Sequence, residues 1–440
     1  MSATTLDTPQ TSFVRSVFLD APSWNHAAVP AWFAQSQLSA WETFANLPMP
    51  GRRDESWRFA DLKLLDFDSY TVPADDDGEV PGIENTALLE KTAARLVFVN
   101  DRLVSWEISD TSLRVLTLAE ALEQHGDLLK ETLTVPDTGL GGGKFAALHQ
   151  AQLREAVVIF VPVKVEVRDP VEIIHWLGGT HSAAFPRTII LTERHAKVAV
   201  LEHHLSTGDD AGLSIGAAQL IAGEGSSINY VLLNQRNEAD KNIHLSTVRG
   251  GRDAQVRHSL INLAAGWTRT ECRSLVAGHG SRSEMFSVSL AAGSQEIDQR
   301  TLQDHLSPHS YSDLLYKNVL FDTARTIFAG LIKVDDGAHF TDAYQKCRNL
   351  LLSESCEANS MPGLEINADQ VKCSHGSTSG RIAEDELFYF ESRGIPRASA
   401  AHLIALGFAQ EVVEKVDHPE ISALLAGAIA ARFDSIHPEG

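Results

Sequence analysis

The sequence predicts a mainly β fold, a parallel β-helix with two strands per turn, flanked by helical N- and C-terminal regions. Three observations lead there. The β-type segments at 196–200, 226–230, 254–258 and 281–285 each follow a polar or glycine-rich turn, and their starts lie 30, 28 and 27 residues apart. A second series, at 217–220, 245–248 and 274–277, sits between them. Helical patterning is nearly missing from this interval, which disfavours a doubly wound α/β fold. Two strands per coil without helices describe a solenoid whose units bury their apolar faces against neighbours. An antiparallel sandwich is the alternative, and the regular return length disfavours it.

The chain divides into three regions: 1–150, helical and mixed; 151–383, the β-helix; and 384–440, helical. In the first, Pro30 starts a helix in which Phe33, Ala34, Leu38, Trp41 and Ala45 recur at three- and four-residue spacing, and Pro48 and Pro50 stop it. Asp75-Asp76-Asp77-Gly78 reads as an exposed turn. Gly139-Leu140-Gly141-Gly142-Gly143 reads as a loop before the second region; no GK[ST] ending follows that would make it a phosphate cradle. Val161, Val163, Val165 and Val167 alternate with polar residues and proline at a strand period. In the third region Glu384, Asp385 and Glu386 place negative charge in a first helical turn, and Gly394 and Pro396 end that helix. A second helix carries Ile404, Phe408, Val412 and Val416. A third starts near Pro419 with Ile421, Leu424, Leu425 and Ala428. These helices are expected to cap an open end of the solenoid.

An apolar fraction of 43% over 440 residues supports a large core. With 58 acidic against 37 basic residues the net charge is −21, without a basic run, which argues against nucleic acid and anionic membranes as partners. The opening Met1-Ser2-Ala3-Thr4-Thr5-Leu6-Asp7 lacks the pattern of a secretory signal. Four cysteines (Cys272, Cys347, Cys356, Cys373) without CxxC spacing suggest free thiols in a reducing compartment, hence a cytoplasmic chain.

The chemistry concentrates in Val371-Lys372-Cys373-Ser374-His375-Gly376. In a strand Cys373 and His375 point to one face, whereas Lys372 points away. Sulfur and imidazole donors together suit iron, zinc or copper.

The order of several segments resembles the SufB/SufD family of the SUF iron–sulfur cluster assembly system, in its SufD version. Glu55-Ser56-Trp57-Arg58-Phe59-Ala60-Asp61-Leu62 carries the likeness near the N-terminus. Tyr316-Lys317-Asn318-Val319, Ala324-Arg325-Thr326-Ile327-Phe328-Ala329-Gly330, Thr341-Asp342-Ala343-Tyr344-Gln345 and Arg348-Asn349-Leu350-Leu351-Leu352-Ser353 follow in order. The strongest block is Pro362-Gly363-Leu364-Glu365-Ile366-Asn367-Ala368-Asp369 with the Cys373–His375 segment, continuing into Asp385-Glu386-Leu387-Phe388-Tyr389 and Ser392-Arg393-Gly394-Ile395. The first 50 residues and 63–150 carry little of it. Cys347, Cys356, Ser379 and Phe390-Glu391 depart from the family pattern.

The resemblance implies a right-handed parallel β-helix core, pairing with SufB through that core, and binding of the ABC-type ATPase SufC through the C-terminal region. Persulfide sulfur would arrive from a cysteine desulfurase system. It implies a non-catalytic scaffold subunit with His375, and beside it Cys373, at a transient iron–sulfur cluster shared with SufB. A reduced flavin is associated with such complexes, with no residue here assigned to it. No cofactor is expected in the isolated chain, which is open to forming a homodimer. Without a Walker A pattern, ATP hydrolysis belongs to the partner.

Each residue also has a plainer reading. His375 as a hydrogen-bonded strand histidine and Cys373 as a small buried hydrophobe compete with the ligand roles. Cys347 and Cys356 approaching Cys373 would complete a metal site within the chain, the less favoured reading, and Cys272 is structural. His305 and His309 flank Pro308, which makes their spacing uninformative. Trp57 and Arg58 fix N-terminal packing. Leu387, Phe388, Phe390 and Arg393 are SufC-contact candidates, with a C-terminal helical core as the alternative. Two other functions compete: a carbohydrate-active β-helix enzyme of lyase or esterase type, and a purely structural stabiliser of SufB.

Overall fold

The computed structural model describes residues 16–22, 29–73 and 82–436, so the opening segment at 1–7 and the turn at 75–78 lie outside the described residues. Between Val157 and Gly380 the chain winds through about eight turns of a parallel β-solenoid, each turn giving one strand to each of two sheets. Ser227 pairs with Lys197 and Gln255, and Gln255 with Arg282, so the coil offsets are the 30, 28 and 27 residues of the sequence repeat. The segments at 217–220 and 245–248 also pair residue by residue. The third member of that series is three residues out of register, since Leu245 pairs with Glu271 rather than Ser274.

In-register stacking makes columns of side chains. One inward column runs Val200, Tyr230, His258, Met285, Leu314, Gln345, all buried. Another is polar: His175, His204, Asn234, Asn262, Ser289, Asn318 and Asn349. The solenoid interior is therefore part apolar core and part polar ladder.

The two ends differ. At the first, strand Ala94–Val99 adds in parallel to Val171–Leu177 and is itself covered by the antiparallel strand Arg102–Ile108. At the last, strands Lys372–Gly380 and Glu357–Ile366 each have a strand neighbour on one side only.

The alternating run at 161–167 is not a strand. Strand Val157–Val161 stops at Pro162, which has no N–H to give a ladder, and Lys164 turns the chain with φ +63°. Helix α1 (Ala31–Asn46) forms where expected, but it buries Phe33, Gln37, Ala40 and Phe44 while Leu38 faces solvent. Helices α2 (Leu118–Leu129) and α3 (Gly143–Gln152) follow. The glycine run forms the turn into α3. Gly141 has φ +110°, and a Cβ there would meet Ser56 Oγ at 2.5 Å, so close packing accounts for that glycine.

Helices α4 (Glu384–Ser392), α5 (Arg397–Val413) and α6 (Pro419–Ile436) follow the solenoid, with Gly394 at φ +83° ending the first. Helix α5 buries Ala400, Ala405, Ala409, Val412 and Val413, so Val412 of the expected stripe is buried, as is Val416 beyond the helix, while Ala405 and Ala409 take the places expected of Ile404 and Phe408. These helices do not cap the solenoid end. Ala405, Ala409, Val412, Ile421 and Leu425 pack on Leu233, Ile261, Phe286, Val288 and Leu315, the outer face of the first sheet, which runs from Val171–Leu177 to Lys372–Gly380; the second runs from Val157–Val161 to Glu357–Ile366. That face is a continuous apolar surface, and the helices remove it from water. The outer face of the second sheet is covered by Trp57, Phe67 and Phe145 of the N-terminal region.

Candidate functional site at the open coil end

Strand Lys372–Gly380 pairs only with Asp342–Leu351, setting Cys373 on Ala343 and His375 on Gln345. Both therefore belong to inward columns, as the two-residue spacing requires. Since no coil follows, this inward surface is exposed: His375 faces solvent and Cys373 is half-buried. The imidazole of His375 makes no hydrogen bond or ion pair among the described residues. Cys373 packs with Ile332, Val334, Ala338 and Ala343, and burial pushes its thiol up from the ordinary range. A protonated thiol is a poorer ligand than a thiolate, which disfavours Cys373 as a donor.

The other cysteines do not join them. Cys347 stacks on Ser377, four residues along the strand from the Ala343–Cys373 pair, which is about 13 Å. It is buried among Asn318, Asn349 and Ser360, and its thiol is pushed up to about 12. Cys356 donates to the Ser353 carbonyl at 3.2 Å. Cys272 is buried beside His258, with its thiol also pushed up to about 12. A cysteine-rich site within the chain is thus not assembled among the described residues. His305 ends a strand and bonds Ser310 and Ser312, whereas His309 lies in a turn with φ +56°.

Trp57 is buried, donates Nε1–H to the Gly141 carbonyl at 2.9 Å, and lies under the Arg269 guanidinium at 3.8 Å. Arg269 in turn pairs with Glu271 and Asp298. This cluster fixes the N-terminal region to the second sheet. The backbone carbonyl of neighbouring Arg58 accepts from Arg300.

The α4 residues separate. Leu387 is buried in the helical packing, Phe390 is half-buried, and Phe388 is 70% exposed. The Arg393 guanidinium lies 5.0 Å from the Tyr389 ring. Asp385, Glu386, Tyr389, Phe390 and Ile404 line a groove of about 340 Å³. Helix α5 is tied to the sheet by the Lys317 ammonium, which bonds the Phe408 carbonyl at 2.8 Å and pairs with Glu411.

A donor cluster missed by the sequence reading lies in the first coils: His175, Glu202 and His204. The signal was present, because His175 and His204 are one coil apart and Glu202 is two residues from His204 on the same face.

Comparison with known proteins adds one family and several relatives. The family described as "SUF system FeS cluster assembly, SufBD core domain" matches residues 175–408. The iron–sulfur cluster assembly protein SufD of Bacillus subtilis is 27% identical over 413 residues, covering 91% of this chain and 94% of that protein. A SufBD family protein of Synechocystis is 27% identical over 412 residues, covering 89% of each. One from Mycobacterium tuberculosis is 29% identical over 307 residues, covering 67% of this chain and 76% of its own.

Proposed function

Because the chain belongs to the SufBD family of the SUF iron–sulfur cluster assembly system, we propose that it is a non-catalytic scaffold subunit of the SufD type. It pairs with SufB, binds the ABC-type ATPase SufC, and offers His375 to a cluster that is cargo rather than resident cofactor. The observation that carries this reading is the uncovered last coil, with His375 on its inward surface.

An exposed coil end presents backbone N–H and C=O groups along two strands, which strands of a partner can continue. Such pairing would close the solenoid over His375 and bring the partner's donors to it. Imidazole is a competent iron ligand, and Cys373 stands one column away as the weaker donor. The exposed Phe388 and the groove beside Tyr389 and Phe390 suit an ATPase subunit. Lys317 and Glu411 connect movement of α5 to strand Tyr311–Leu320, two coils before His375. The family match leaves the carbohydrate-enzyme alternative without support.

Co-expression with SufB and SufC tests the reading. His375→Ala is expected to leave the complex intact on gel filtration while sharply lowering the cluster content recovered. Phe388→Ala is expected to lose SufC and keep SufB. Normal cluster content in the His375→Ala complex would leave a purely structural stabiliser of SufB.

A further inference from the structure

The first coils hold a second donor set, remote from His375. His175 of strand Val171–Leu177 and His204 of strand Lys197–Ser206 are register partners, and Glu202 precedes His204 by two residues on the same inward face. Glu202 Oε1 lies 2.8 Å from His204 Nε2 and 3.7 Å from His175 Nε2. All three ligand atoms fall within 4.8 Å of one another, and all three residues are buried.

A hydrogen-bonded core cluster would explain the His204–Glu202 contact. It does not explain His175. Its Nε2 is buried, directed at Glu202, and without a hydrogen-bond partner among the described residues. Leaving such an atom unpaired in the interior is costly. A metal ion between the three donors removes that cost. Tetrahedral zinc, at its usual ligand distances, sets donors about 3.3 Å apart, and the two separations here lie on either side of that value.

The surroundings suit a ligand set. The Tyr230 hydroxyl donates to Glu202 Oε2 at 2.9 Å, which orients the carboxylate and leaves Oε1 turned to the histidines. The His175 ring stacks on Phe98 with centroids 4.9 Å apart, which fixes its plane. The buried Arg236 guanidinium opposes a cation here, and Asp101, Asp240 and Glu202 itself counter it. His175 also borders a narrow void with Phe98, Asp101, Glu155 and Pro186 that is too tight to pass an ion, so the metal enters as the chain folds.

We infer that His175, Glu202 and His204 bind one divalent first-row transition metal, with two imidazoles and a carboxylate as its protein ligands. That donor set suits zinc and iron(II) and lacks the thiolates that favour copper(I). The site is six to seven strand spacings from His375, about 29–34 Å, and stands or falls independently of the assembly role.

The full chain, stripped with chelator, is titrated with cobalt(II) and zinc(II), both as folded protein and during refolding. One equivalent should bind per chain. X-ray absorption of the zinc form should show two imidazoles and oxygen at about 2.0–2.1 Å, without sulfur. Glu202→Gln and His204→Gln should each weaken binding at least about tenfold. His203→Gln, on the opposite face of the same strand, should not, and His375→Ala should retain the site. Anaerobic competition between zinc and iron(II) identifies the preferred ion. No stoichiometric uptake by either route, sulfur in the zinc shell, or unchanged affinity in His204→Gln would overturn the inference. Should the variants fail to fold, the wild-type absorption spectrum decides alone.

Discussion

Gln345 lies directly beneath His375 in the same inward column, fully buried, with neither amide atom hydrogen-bonded among the described residues. The candidate iron ligand therefore rests on a polar floor rather than on apolar packing. That floor is tightly fitted, because a Cβ at Gly330 would collide with the Gln345 amide and approach Thr301 Oγ1 at 2.8 Å.

Gly330→Ala should accordingly lower the stability of the chain by about 2 kcal/mol, since the collision forces side chains off their rotamers. Adding Gln345→Ala removes the closest of these clashes and should return part of that loss, since Phe328 Cζ at 2.7 Å and Thr301 Oγ1 remain in the way. Urea unfolding of the two variants measures the difference. A Gly330→Ala chain as stable as the parent would contradict the packing described.

The Lys317–Glu411 pair is asymmetric, with the lysine nearly buried and the glutamate close to half exposed. Glu411→Ala leaves an ammonium under α5 with the Phe408 carbonyl and the Phe408 ring at 4.2 Å but without its paired carboxylate, and should cost about 1–2 kcal/mol, less than for a fully buried pair. The double change Lys317→Met, Glu411→Leu should cost less than Glu411→Ala alone. Thermal melts of the three proteins decide, and hydrogen exchange along α5 should rise only in the single variant.

Two neighbours on α4 should behave oppositely. Leu387→Ala removes a buried side chain and should cost about 2–3 kcal/mol, whereas Phe388→Ala should change stability by less than about 0.5 kcal/mol. Equal melting temperatures for the two variants would mean that α4 packs by another face.

Acid should destabilise the fold well above the carboxylate range. His149, His258 and His305 are pushed down by burial to about 3, 4 and 4. Their folded values lie below the unfolded value of about 6.5, so the unfolded chain binds more protons as pH falls. The stability of the neutral buried form is complete above pH 6.5 and is lost downward from there towards pH 3–4. Each group contributes a slope of about 1.4 kcal/mol per pH unit in that window. Melting temperatures from pH 7.5 to 5 should fall steeply below about 6.5, and His305→Gln should flatten the slope by one proton.

Much of this was legible in the chain itself. The coil offsets of the first series appear unchanged as strand register, because a solenoid turns a repeat in sequence directly into a stack in space. The pairing of Cys373 and His375 on one face followed from the two-residue period of a strand. The errors came where several local signals compete. The valines at 161–167 have strand spacing, but Pro162 and a positive φ at Lys164 break the ladder. The α1 and α5 stripes were rotated because small or polar residues, Gln37, Ala405 and Ala409, take the buried positions at close helix contacts.

By itself the sequence determined the β-solenoid, its coil length, and which side chains share a strand face, since these depend on spacings of a few residues or on a regular return. Tertiary structure alone decided that the C-terminal helices lie along the first sheet and leave the last coil open. It also decided that Cys347 stays two inward columns from Cys373, and that His175 meets Glu202 and His204 inside the first coils. Those outcomes depend on which apolar surfaces bury the most area and on register between coils, and neither is carried by any single stretch of the chain.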